Sequence, residues 1–179
     1  MLELLRQRRS IRKYKSRLIE PDKIEILKEA LLRSPTSRNL RPWEFIFVDD
    51  KETLKRLSES KENGSAFLKD AALGIIITAD ETVSDVWIED CSIAAIIVQL
   101  SAQSIGLGSC WIQIRNRFTA QGVLSEQYIR QLLGLDDSRR IECIVALGYP
   151  DEKKTRIPYA ELDFRLITSS KSESTDKQD

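Results

Sequence analysis

"DVWIEDCSIAAIIVQLSAQSI", Asp85–Ile105, is the longest stretch of the chain that reads as a single element. Ile88, Cys91, Ala94, Ala95, Ile97, Val98, Leu100, Ala102 and Ile105 recur at helical spacing and leave little polar surface between them. A helix apolar nearly all round must be covered on most of its sides. The chain has 179 residues, enough for one ordinary domain with a substantial core. One small domain supplies too little cover for such a helix, so the stretch predicts a subunit interface as well as a sheet.

Working outward, Gly106 ends this helix and "SCWIQI" (109–114) reads as a strand. Upstream, "ALGIIITA" (72–79) is β-branched and predicted to be buried on both faces. "EFIFV" (44–48) is another strand, followed by Asp50 as the cap of a helix reaching about Leu57. Residues 2 to about 9 form a short helix, and Pro21 at a first-turn position opens a second. Downstream, Ser125 is expected to cap a helix that Gly134 closes, and "IECIVALG" (141–148) is the fourth strand. Strands interleaved with helices predict an α+β domain over residues 1–167, with a central mixed β-sheet flanked by helices. Residues 168–179 are polar and expected to be a disordered tail.

Composition limits what such a domain can do. Lys plus Arg and Asp plus Glu number 28 each, so no field from the whole molecule steers it toward nucleic acid. The apolar runs are too short to span a bilayer, and no apolar core follows the first residues as a signal peptide requires. Cys91, Cys110 and Cys143 are three, well separated and mostly in apolar stretches, which suits reduced thiols and a cytoplasmic setting. Histidine is absent, which removes Ser-His and Cys-His nucleophiles and the commonest metal ligand. No metal spacing is present either. An enzyme of this composition leaves the hard chemistry to a cofactor.

Three segments are candidates for holding one. "RQRRSIRKYKS" (6–16) gathers six Lys and Arg residues around one serine; guanidinium forks and a hydroxyl suit a phosphate, though taken alone a solvated helix end is the better explanation of the charge. "SPTSRNLRPW" (34–43) offers hydroxyls and an amide on a stiff loop, or merely a connection whose Trp43 fills the core. "GLGSCWI" (106–112) places two glycines before a strand, where backbone amides could approach a flat ligand; a helix C-cap is the plainer reading.

In this order and together the segments are far more specific. "RRSIRKY", "SPTSRNLRPWEFIFV", the long apolar helix, "GLGSCWI" and "LLGLDDSRRIECIVALGYP" resemble the nitroreductase family of FMN-dependent oxidoreductases over nearly everything before the tail. The resemblance implies a three-layer fold in an intertwined homodimer with two FMN sites at the interface. By the same resemblance, Arg8, Arg9, Ser10 and Arg12 would hold the flavin phosphate and pyrimidine edge. Pro35, Thr36, Ser37 and Asn39 would come from the partner subunit. Gly108, Ser109, Cys110 and Trp111 would lie beside the reactive nitrogen, and Lys153, Lys154 and Arg156 would complete the phosphate site. No side chain is implied as a catalytic acid or base, and no metal. NADH or NADPH would reduce the flavin, and a small acceptor such as a nitroaromatic or quinone would reoxidise it in ping-pong fashion. Flavin binding without efficient turnover, and dedicated chemistry such as reductive dehalogenation, are the alternatives. The chain departs from the family pattern at Thr36 (usually Ser), Arg41 (commonly Gln) and Gln113 (Gly in many members). Gln113 is expected to narrow substrate access.

Overall fold

The computed structural model describes residues 1–169, so residues 170–179 of the predicted tail lie outside the described residues. Helices α1 (Leu2–Gln7) and α2 (Pro21–Leu32) precede strand β1 (Trp43–Val48) and helix α3 (Lys51–Leu57). Strand β2 (Leu73–Asp80), helix α4 (Trp87–Ser104), strand β3 (Gly108–Gln113), helix α5 (Ser125–Leu133) and strand β4 (Arg139–Gly148) follow. Pro21 sits at the first helical position and Asp50 accepts the Thr53 N–H at 2.8 Å, both as the sequence predicts. Gly134 closes α5 with φ 65°. Ser125 is not the cap of α5. Leu124 holds that position, and the buried Ser125 hydroxyl donates instead to the Ser60 carbonyl at 2.5 Å, tying α5 to the loop after α3.

The sheet order is β1-β2-β4-β3. Each of the three pairings is antiparallel, which corrects the expected mixed sheet. The connections explain it. Val48 pairs with Gly74 and Gln113 with Cys143, so the chain leaves and re-enters the sheet at the same end despite the helix in between. A parallel component is confined to a single bridge, Ser10 with Ser109.

Three layers result. On one face α2 and α4 pack Leu27, Leu31, Cys91, Ala94 and Val98 against Ile75, Ile77 and Val145. On the other, α3, α5 and the 3₁₀ helix Ala66–Asp70 pack Leu54, Leu57, Leu68 and Ile129 against Ile76, Ile112 and Ile144. Strand β2 is therefore buried on both faces, as its composition predicts. Helix α4 gives only one side to this core. Ile93 and Ile96, on the side turned from the sheet, are 39% and 38% exposed.

Candidate active site at the free edge of the sheet

Strand β3 has β4 on one side only. In an antiparallel ladder alternate residues turn both backbone groups toward the same neighbour. The Ser109 carbonyl accepts the Ile11 N–H at 2.9 Å on the outer side, so Ser109, Trp111 and Gln113 face outward. Beyond the bridge at Ser109, the N–H groups of Trp111 and Gln113 point from an open strand edge.

The basic segment is delivered to this edge by backbone pairing. Helix α1 stops at Gln7, and Arg8 is already extended (φ −61°, ψ 122°). Ser10 then bridges Ser109, and the chain crosses to the residues just past β4, where Lys15 N–H donates to Tyr149 O and Asp151 N–H to Lys13 O, both at 2.8 Å. The Tyr14 hydroxyl, buried beneath, donates to Ile11 O at 2.6 Å. Gly108 is what permits so close an approach. A Cβ there would lie 2.9 Å from Ile11 Cβ and 2.9 Å from Pro150 Cγ. The glycine expected to admit a ligand instead admits the chain that carries the basic residues.

The site residues sort as follows. Arg8, Ser10 and Arg12 are carried by the segment that bridges Ser109, the neighbour of Cys110. Burial pushes the Cys110 thiol up, while the Arg12 charge, the Ser10 hydroxyl and the Arg8 charge pull it down. Arg12 N–H donates to Glu152 Oε1 at 2.6 Å, and its guanidinium lies 5.8 Å from the centre of the Phe67 ring. Arg9 donates to the Thr155 carbonyl. Arg8, Arg9 and Arg156 line one cleft of about 550 Å³ walled by Leu2, Leu5, Ile157 and Tyr159. Arg156 also pairs with Glu3 at 3.0 Å. Lys154 pairs with Glu152 at 2.9 Å, beside Arg12, whereas Lys153 is exposed. Trp111 is half-buried on the α4 side, its Nε1 donating to Gln113 Oε1 at 3.0 Å.

The loop from Pro35 to Asn39 is held elsewhere. Ser37 N–H donates to Asp90 Oδ1 at 2.9 Å, and the Ser84 hydroxyl to Asp90 Oδ2 at 3.1 Å. Thr36 Oγ1 accepts the Arg41 N–H at 3.0 Å, and Asn39 Oδ1 accepts Arg41 Nε at 3.1 Å. Arg38, Asn39 and Arg41 all have positive φ (51°, 56°, 51°). Non-glycine residues in that region cost on the order of 1–3 kcal/mol each and persist where surroundings enforce them, often at functional sites. Asp90 lies in the first turn of α4 and β3 begins just past its last. From Asp90 to Ser104 the helix rises about 21 Å. Within one chain, then, the structure brings the basic segment to Cys110 but leaves the hydroxyl loop at the opposite end of α4.

Sequence reasoning missed Lys61, Phe67 and Glu152. Lys61 is half-buried, its ammonium pushed down by burial and by Arg117, with Cys110 acting in the opposite sense. "SESKENGS" reads as a solvated loop, and nothing local marks Lys61 as near Cys110.

The family model described as Nitroreductase family matches residues 5–64 and 57–149, most of the chain. The chain belongs to the nitroreductase family. A solved structure described as an FMN-dependent nitroreductase from Clostridium difficile R20291 is 45% identical, with a TM-score of 0.93 over 96% of this chain and 100% of that one. A protein of Archaeoglobus fulgidus, provisionally named an NADH dehydrogenase/NAD(P)H nitroreductase, is 36% identical over 86% of this chain and 87% of its own length. At 21% identity, over 94% of this chain and 98% of its own, the iodotyrosine deiodinase of Thermotoga neapolitana is more distant. Gln113 is one of the departures from the family pattern named above. Its side chain turns back toward Trp111 and Glu142, not into the space beyond the edge, so the expected narrowing of access has no support in its side-chain position.

Proposed function

We propose that residues 1–167 form one FMN-binding domain of a flavin-dependent oxidoreductase that takes electrons from NADH or NADPH and passes them to a small acceptor. The observation that carries this reading is the convergence of Arg8, Ser10 and Arg12 on an edge strand whose Trp111 and Gln113 N–H groups face outward. These residues fit a flavin. Outward amides suit the polar edge of a flat ring, and the Arg8–Arg9–Arg156 cleft suits a phosphate. FMN, when bound, accepts a hydride from the nicotinamide and returns it to the acceptor. The chain's part would be to bind, orient and charge-match, with Arg12 supplying a cation that would favour the negatively charged reduced ring. The absence of histidine is then no obstacle.

The working unit is proposed to be a homodimer. Ile93 and Ile96 on α4, and Ile157, Tyr159, Phe164 and Leu166 beyond the sheet, are apolar and exposed in the single chain. Obligate interfaces of this kind bury roughly 2,000 Å² or more. Ile93→Asp/Ile96→Asp is expected to give a monomer, or no folded protein, in sedimentation. A native dimer from that variant would refute the assignment of this face. No helix among the described residues is long and apolar enough to cross a membrane. Three buried free thiols suit the reducing cytoplasm.

The direct test is absorbance followed by anaerobic titration. The purified protein is expected to carry FMN near one per chain and to bleach on addition of NADH or NADPH. Arg12→Ala should weaken FMN binding and lower the flavin midpoint potential, and Arg8→Ala should weaken binding with a smaller change in potential. Protein that stays colourless after incubation with FMN would refute the reading. Including a halogenated phenol among the acceptors tests the dehalogenation alternative, which the deiodinase relative keeps in view.

A further inference from the structure

One buried carboxyl has no part in the site described so far. Ile77 pairs with Cys143 while Thr78 pairs with Ile141, so Glu142 is the extra residue of a β-bulge in β4. Its side chain is 4% exposed and its Oε2 has no partner. Its Oε1 accepts from Gln113 Nε2 at 3.3 Å, and Nε2 also reaches the carbonyls of Arg115 (3.3 Å) and Glu142 (3.4 Å). Gln113 Oε1 in turn accepts the Trp111 indole N–H. The Ile114 and Arg115 N–H groups both donate to the Glu142 carbonyl at 3.1 Å. The end of β3, Trp111 to Arg115, is thus gripped from behind by one residue of β4 and by the Gln113 side chain.

We propose that Glu142 and Gln113 are a pair of positioning residues, a buried brace that fixes the direction of the Gln113 backbone N–H at the open edge of β3. The inference rests on the reading of that edge as the flavin's polar contact. A strand end with no outer neighbour is free to twist, and a bulge raises local twist further. The glutamine amide, accepting from the Trp111 indole and sharing its two N–H groups among the Glu142 carboxyl and the Arg115 and Glu142 carbonyls, removes that freedom. Burial, with the Glu126 and Glu89 carboxylates, pushes the Glu142 carboxyl up, against the Gln113 hydrogen bond and the Arg115 charge; the Cys91 and Cys143 thiols on the same face are themselves held neutral by burial. A neutral group costs far less to leave with one unpaired oxygen than a carboxylate does.

Glu142→Ala, Glu142→Gln, Gln113→Ala and the Glu142→Ala/Gln113→Ala double variant test the brace. The first readout is amide hydrogen exchange of apoprotein, which needs no flavin. Glu142→Ala and Gln113→Ala are each expected to speed exchange over residues 109–115 about tenfold or more relative to α2, whereas Glu142→Gln, which keeps a carbonyl acceptor of the same shape, stays within about twofold. The double variant should be no worse than the singles, since one brace can be lost only once. The second readout is the FMN midpoint potential, expected to move in Glu142→Ala and to stay near wild type in Glu142→Gln. Exchange that rises uniformly through the protein, or single effects that add, would overturn the proposal. Should Glu142→Ala not fold, Gln113→Ala reports the same brace from its other end. Local exchange effects in a protein that refuses FMN would keep the brace and overturn the flavin assignment instead.

Discussion

Gly108→Ala is expected to leave a folded protein that has lost its flavin. The new Cβ would sit 2.9 Å from Ile11 Cβ and Cγ1 and 2.9 Å from Pro150 Cγ. Overpacking of this size costs roughly 1–3 kcal/mol when the neighbours can move. The neighbour able to move here is Ile11, because β3 and β4 are fixed by the ladder between them, whereas Ile11 is held to β3 by a single bridge at Ser109. Relief of the clash therefore peels Arg8, Ser10 and Arg12 away from Cys110, and the binding loss should exceed what the stability loss alone would give. Gly134→Ala is the control. It imposes a left-handed alanine (φ 65°) at a helix end with nothing within 4 Å of its Cβ, costing about 1 kcal/mol without touching the site. FMN content and thermal midpoint of both variants decide the matter. Equal FMN occupancy in the two would show that the N-terminal segment does not depend on Gly108.

That glycine also shows where sequence reading reached and where it stopped. Helix α4, both faces of β2, the Asp50 and Gly134 caps and the order of elements are written in local periodicity and turn chemistry, which depend on neighbours a few positions apart. The three candidate segments were legible as residue types through family resemblance, and the structure brings the first of them to the edge of β3. The packing reason for Gly108 was not legible, because Ile11 lies nearly a hundred positions away and no local pattern couples the two. The same holds for Glu142, whose bulge exists only as a mismatch between β2 and β4. Strand direction failed for a related reason. A helix between two strands suggests a crossover, but whether the chain re-enters the sheet at the far end or the near one is decided by tertiary packing. Gln113 was legible as a departure, but the turn of its side chain toward Trp111 and Glu142 depends on a strand partner that no local pattern reveals.

Two inactive variants are expected to restore each other when mixed. Within one chain the basic segment meets β3 just past the end of α4, and the Pro35–Asn39 loop is pinned to Asp90 at its start, about 21 Å of helix away. A hydroxyl loop fixed that far from Cys110 can complete the same site only if it arrives from a second copy, running the other way along the interface. Arg8→Ala/Arg12→Ala removes one half of each site, and a glycine-serine replacement of residues 35–39 removes the other. In a two-fold dimer each site takes its basic segment from one chain and its loop from the other. A mixed dimer then collects both defects in one site and leaves the second wholly native. Random reassortment makes half the dimers mixed and half of their sites native, so roughly a quarter of wild-type FMN binding and NAD(P)H oxidation should return. If one chain supplied both segments, every site in the mixed dimer would carry one defect and nothing would return. Co-refolding the two variants, with the mixed dimer verified by mass, separates these outcomes by the full size of the effect. A result of no recovery would also require the strained loop at Arg38, Asn39 and Arg41 to be explained by something other than a partner's flavin.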